Sequence, residues 1–313
     1  MPLIDVHAHF LPPQYREALA TAGVDQPDGF PRVPMWSADD HVAVMDRLGI
    51  DAAVLSVSSP GVQFGDGASA SDAVELARCV NDVAAATVAD HPGRFGAFAS
   101  LAMANISESL AEIERALDGL GLDGINVLTN VGGTHLGDKS LEPIMAELDR
   151  RRALVFIHPT SPACWECTSL GYPRPTIEFP FDTTRAVTNM LLSGVLTRYP
   201  DIRWIVPHAG GTLPFLAPRI AGISVLLGAE DPAVVIAQLR RLHYDLAGSA
   251  SAAVVTSLLT LVDRQQVLYG SDWPFTPEPI VAGALGWITG AENPVSAATL
   301  GENAAALFPR LAL

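Results

Sequence analysis

The chain of 313 residues is 49% hydrophobic and 17% charged, with a formal net charge of −15 at pH 7. This composition supports one large core and excludes a disordered chain. The acidic balance argues against nucleic-acid backbones and anionic membrane surfaces as partners, and it repels an acidic ligand unless a local cation offsets it.

Met1 to Asp5 show no basic region followed by an apolar stretch, so no signal peptide is expected. The first predicted strand covers 3–8 and runs into His7-Ala8-His9-Phe10, followed by a long loop over 10–36. Ser37 caps a predicted helix over 38–48 that stops at Gly49. A strand over 52–58 follows, then a helix over 71–90 that ends before Pro92-Gly93. Strand 95–101, helix 107–119, strand 124–129, helix 140–152 and strand 153–158 continue the alternation. A second long loop, 159–181, precedes helix 182–198 and strand 203–208. Helix 212–227, strand 243–248, helix 250–262, strand 266–271 and helices near 279–290 and 294–308 complete the chain.

Most of the eight strand runs lack polar–apolar alternation, as expected where both faces are covered. Strands alternating with helices predict an α/β fold, a single (β/α)8 TIM barrel over 1–313. An open doubly wound sheet is the alternative, but it would carry a Gly-rich phosphate turn where this chain has His-Ala-His-Phe. The apolar helices carry too many polar residues for a membrane span of about 20 residues. Three cysteines, Cys79, Cys164 and Cys167, cannot all pair within the chain, and a reducing, cytoplasmic setting is expected.

The chemistry concentrates at strand ends. His7 and His9 are two residues apart, so a strand turns both imidazoles to one face. His158 ends the fifth strand, His208 the sixth, and Asp272 follows the eighth in Gly270-Ser271-Asp272-Trp273-Pro274. In a barrel these ends share one rim, where histidines with one carboxylate suit a single divalent metal, Zn(II) first and Mn(II), Fe(II) or Co(II) as alternatives. A lone histidine at a strand end is usually structural, and only the joint placement points to a metal. His41, His91, His135 and His243 fall elsewhere and read as structural or solvated. The single C-x-x-C, Cys164 to Cys167, lacks further ligands and reads as a loop feature. Asp245 is open between a pocket-facing and a buried structural carboxylate. Phe10, Trp36, Phe181 and Trp273 lie on pocket-side loops, where they either pack a substrate ring or only the rim.

The run Ile4-Asp5-Val6-His7-Ala8-His9-Phe10-Leu11-Pro12, with Phe-Ile-His-Pro, Pro-His-Ala-Gly-Gly and Gly-Ser-Asp-Trp-Pro further on, resembles the amidohydrolase superfamily. Within it, the chain resembles the branch of aminocarboxymuconate-semialdehyde, γ-resorcylate and 6-methylsalicylate decarboxylases. The stretch from Trp36 to Gly61 leans to the last type. The resemblance implies that His7, His9, His158 and Asp272 bind the metal and that His208 handles protons beside it. Resorcylate-type enzymes often have Glu at the first histidine, so His7 favours the muconate-type ligand set. Some members hold the substrate carboxylate with an arginine, for which Arg32 is the candidate. A homodimer is likewise implied.

The reading that follows is a metal-dependent, non-oxidative decarboxylase of a small aromatic or unsaturated carboxylic acid. Protonation of the ring carbon that bears the carboxylate falls to His208 or Asp272, which the sequence does not separate. The rival is a hydrolase of a lactone, ester or amide on the same scaffold. A non-catalytic metal-binding protein is disfavoured, because a histidine beyond the ligand set is surplus to structure.

Overall fold

The structure is a computed structural model that describes residues 2–64, 69–290 and 293–312. Runs of small and β-branched apolar residues form β1 (Ile4–His9), β2 (Ala52–Ser56), β3 (Phe95–Ser100), β4 (Gly124–Leu128), β5 (Leu154–His158), β6 (Arg203–Val206), β7 (His243–Asp245) and β8 (Val267–Leu268). These eight pair in chain order, all parallel. Closure comes from β1 against the segment running through β8, where Val6 N donates to Tyr269 O at 2.9 Å and His9 N to Trp273 O at 2.8 Å. Pairing between these two is limited to bridges at Asp5–Tyr269 and Ala8–Trp273, so β8 is shorter than the expected 266–271.

The helices are α1 (Pro13–Thr21), α2 (Ala38–Leu48), α3 (Ala70–Asp90), α4 (Ile106–Glu114), α5 (Glu142–Arg150), α6 (Glu178–Leu192), α7 (Leu213–Leu226), α8 (Pro232–Arg240), α9 (Ala252–Leu259), α10 (Glu278–Ile288) and α11 (Ala297–Leu307), with shorter turns between. As the sequence suggests, the Ser37 side chain accepts from Asp40 N, and Gly49 closes α2 at φ 70°, where a Cβ would be strained. Three helices depart from expectation, and the first of them, α1, lies within the segment 10–36 expected to be a loop. α6 opens at Glu178 rather than 182, because Pro180 sits in its first turn, where proline is tolerated. α8 has no counterpart in the sequence reading, although Asp231 caps it and Pro232 begins it.

The lower interior of the barrel is apolar. Ile4, Val6, Val54, Phe98, Phe156, Ile205 and Leu268 form one buried cluster with Phe308 and Leu311 from the end of the chain. In β1 the register slips between Asp5 and Ala8. Such an irregularity changes which side chains face inward. Ile4 and Val6 join the floor cluster, while His7, of opposite parity, packs its ring 4.8 Å from Phe156.

Candidate active site

His7 and His9 from β1, His158 from β5 and Asp272 just past β8 converge, with one ligand atom of each within 4.8 Å of the others. His7, His9 and His158 are buried. Their Nδ1 atoms are all engaged from behind. His7 Nδ1 donates to Asp245 Oδ2 at 3.0 Å, His9 Nδ1 to Ser56 O at 3.2 Å, and His158 Nδ1 to Pro159 O at 2.7 Å. A carbonyl only accepts, so the latter two protons sit on Nδ1 and each Nε2 offers a lone pair inward. Nε2 of His7 and of His9 has no hydrogen-bond partner. His9 Nε2 nevertheless lies 3.1 Å from Asp272 Oδ1. Two acceptor atoms at that separation require a cation or a proton between them. Three imidazole nitrogens and one carboxylate oxygen therefore fit a divalent ion.

The backbone aims these groups at some cost. Asp272 adopts φ 61° and His208 φ 55°, left-handed values that non-glycine residues rarely take outside functional sites. Hydrogen bonds hold both: Asp272 N donates to His7 O at 2.8 Å, and His208 N to Asp245 Oδ1 at 3.1 Å. Asp245 also accepts from Ala247 N at 2.9 Å. One buried carboxylate thus fixes both the His7 ring and the His208 backbone, which answers the question the sequence left open. Gly270 is required beside it, since a Cβ there would lie 2.8 Å from His7 Cβ.

Burial holds His158 well below the usual imidazole range and lowers His9 as well, so both favour the neutral, ligating form. Burial opposes ionisation of Asp272, but the neighbouring His208 and His9 imidazoles outweigh it and hold the carboxyl well below its usual range. His208 stands beside the cluster, its Nε2 3.8 Å from Asp272 Oδ2 and its buried Nδ1 without a partner.

These groups open on a cavity of about 220 Å³. His158, His208 and Asp272 line it together with Asp28, Phe30, Ser58, Ser59, Thr176, Phe179, Gly248, Ser249, Phe275 and several prolines. The aromatic residues singled out from sequence do not. Phe10 is buried, with its ring 5.9 Å from Trp36. Trp36 donates to His41, and Trp273 packs 4.3 Å from the same ring. Phe181 is 44% exposed in a groove between α6 and α7. Arg32 is exposed and outside the lining, which contains no Lys or Arg. In their place stand Phe30, Phe179 and Phe275, with Phe30 and Phe275 5.4 Å apart. Phe179 was masked by the expected late start of α6. Phe275 carried a weaker signal, two residues beyond Trp273.

The chain matches the family model described as Amidohydrolase over residues 4–310. It is 35% identical to a 6-methylsalicylic acid decarboxylase of Penicillium expansum, with 99% of this chain and 97% of that protein aligned. A crystal structure of an amidohydrolase II superposes with a TM-score of 0.91 at 31% identity, covering 98% of this chain and 99% of the other. A dihydroxybenzoic acid decarboxylase from Polaromonas sp. JS666, solved with bound manganese and an inhibitor, shares the fold at a TM-score of 0.82 and 22% identity, over 98% and 97% of the two chains.

Proposed function

The chain belongs to the amidohydrolase family, and from that premise we propose that it is a metal-dependent decarboxylase that releases CO2, without oxidation, from a small hydroxylated aromatic acid of the 6-methylsalicylate type. The observation that carries this reading is the set of inward lone pairs on buried histidines, opening on a cavity sized for one ring and flanked by Phe30, Phe179 and Phe275. His7, His9, His158 and Asp272 would hold the ion. Their donor set suits Zn(II), with Mn(II), present in the Polaromonas structure, as the alternative. When bound, the ion supplies positive charge that orients the oxygen substituents of the acid and offsets charge developing on it.

The chain's own groups do the rest. The three phenylalanines pack the ring and exclude water from it. The His208–Asp272 pair holds the proton that His208 Nε2 or Asp272 Oδ2 passes to the ring carbon bearing the carboxylate. The C–C bond then breaks, its electrons restore the aromatic ring, and CO2 leaves. The product is a neutral phenol, and the pair regains its proton from solvent. Loading the protein with Zn(II) or Mn(II) and screening salicylates, resorcylates and muconates for CO2 release tests this. A protein that opens lactones and releases no CO2 overturns it.

A homodimer and a cytoplasmic location complete the proposal. The groove between α6 and α7 is lined by Phe181, Leu192, Leu216, Ile220 and Ile223, and beside it Phe215 is 83% exposed. An apolar surface of this kind suits burial against a second copy. All three cysteines are free thiols, in keeping with a reducing compartment, and no helix among the described residues is long and apolar enough to cross a membrane.

A further inference from the structure

The cavity at the candidate metal centre has a larger neighbour of about 410 Å³. Its walls combine apolar side chains, among them Val62, Leu101, Met103, Leu128, Val131 and Trp165, with polar ones such as Gln63, Asn126 and Asn130. The two spaces share chain segments. Ser58 and Ser59 line the first and Pro60 and Gly61 the second, while His158 lines the first and Thr160 and Ser161 the second. Where these segments meet, Ser59 Oγ and Thr160 Oγ1 are hydrogen-bonded at 2.7 Å, and both residues are buried. The bond thus joins one residue from each cavity. A second link runs beside it: the Ser161 hydroxyl donates to Asp28, which lines the first space, and Arg174 Nε donates to Ser161 Oγ at 3.0 Å.

We propose that the Ser59–Thr160 hydroxyl pair is a partition that sets the largest ring substituent the enzyme accepts, and that removing it extends the substrate class to hydroxyarenecarboxylates bearing an apolar chain or second ring. The inference rests on the decarboxylase reading above. An apolar chain reaching past the pair would break the hydroxyl–hydroxyl bond without replacing it and leave two buried hydroxyls unpaired. The apolar side chains beyond, Val62, Leu101, Met103, Leu128 and Trp165, would otherwise favour that chain. Truncating both residues removes the obstruction and the unpaired groups together. The loop itself keeps its anchor, since Thr160 N donates to Thr129 Oγ1 through the backbone.

The test compares kcat/KM for salicylate with that for salicylates carrying a pentyl chain at each free ring position, using the metal-loaded enzyme. Ser59→Ala/Thr160→Ala should raise the ratio of pentyl substrate to salicylate by about tenfold or more for at least one position. Thr160→Val, which keeps the bulk of the wall, should not. Adding Val131→Trp to the double variant fills the neighbouring space and should cancel the gain. An unchanged ratio, or a gain that survives Val131→Trp, overturns the proposal. If the double variant misfolds, Thr160→Ala alone is read in the same way. A crystal structure of the truncated variant should show one continuous cavity, and two separate spaces overturn the partition whether or not salicylate is turned over. Absence of CO2 release from the metal-loaded parent would instead count against the decarboxylase reading, whatever the cavities show.

Discussion

At the lower end of the barrel, Phe98 stacks on Phe156 with ring centres 5.4 Å apart and meets Phe308 at 5.8 Å, inside a cluster with Ile4, Val6 and Ile205. At the upper end, four imidazoles and a carboxylate crowd together, two Nε2 atoms go unpaired, and His208 and Asp272 sit in left-handed backbone. The same strands supply both ends: β1 gives Ile4 and Val6 to the floor and His7 and His9 to the rim, and β5 gives Phe156 and His158. Apolar burial at the floor is favourable in proportion to area and asks little of geometry. The rim is unfavourable by itself, because unpaired buried nitrogens and positive φ values both cost free energy. The difference teaches that the floor offsets a rim that the chain does not need for folding, which is how a site for an ion is recognised.

If the two ends are separable in this way, variants at each should fail differently. The largest effect is expected at His208→Ala, which should keep about one ion per chain yet lower kcat by about 10²–10⁴-fold, the usual weight of a positioned proton donor. Elemental analysis beside a CO2 assay reads both, and unimpaired turnover would reduce His208 to a structural role. Next, Phe98→Ala at the floor should cost about 3–5 kcal/mol in urea unfolding, while turnover per folded chain stays near that of the parent. A kcat loss as large as that of His208→Ala would break the separation.

Asp245→Asn sharpens the comparison, because this residue lies between the two ends. It keeps the shape but weakens the bond to His7 Nδ1 and the acceptor for His208 N. Metal affinity measured against a competing chelator should fall by about 10–100-fold, with a smaller change in unfolding free energy than at Phe98. Equal metal affinity would mean that the carboxylate only packs.

The contrast also explains what the sequence made legible. Strand runs and the histidines ending them were readable, because a parallel barrel imposes apolar runs and places their C-terminal ends on one rim. The link between His7 and Asp245 spans 238 positions, and nothing local at either end announces it. The cavity wall was harder still. Expecting α6 to open at 182 left Phe179 in a loop and made Phe181 the wall residue. With the helix opening at Glu178, Phe179 turns inward and Phe181 outward. Arg32 lies outside the lining for a related reason: its loop reaches the rim through Pro27, Asp28 and Phe30, and Arg32 itself is exposed.

The smallest expected effect tests whether the rim has any stabilising polar anchor of its own. Asp182, fully buried in α6, accepts from Asn130 Nδ2 at 2.8 Å, from His135 Nε2 at 3.2 Å and from the Thr129 hydroxyl, tying α6 to the loop after β4. Burial raises its pKa, but these bonds outweigh that and leave it lowered. A carboxyl depressed in the folded state contributes stability above its unfolded value, near 3.9, and loses it as pH falls through the folded value. Asp182→Asn should therefore lower unfolding free energy by about 1–3 kcal/mol at pH 7, with the gap to the parent closing as the medium is acidified below about pH 4. Urea titrations at several pH values read this directly. A gap that is constant with pH would show that the hydrogen bonds, and not the charge, make the anchor.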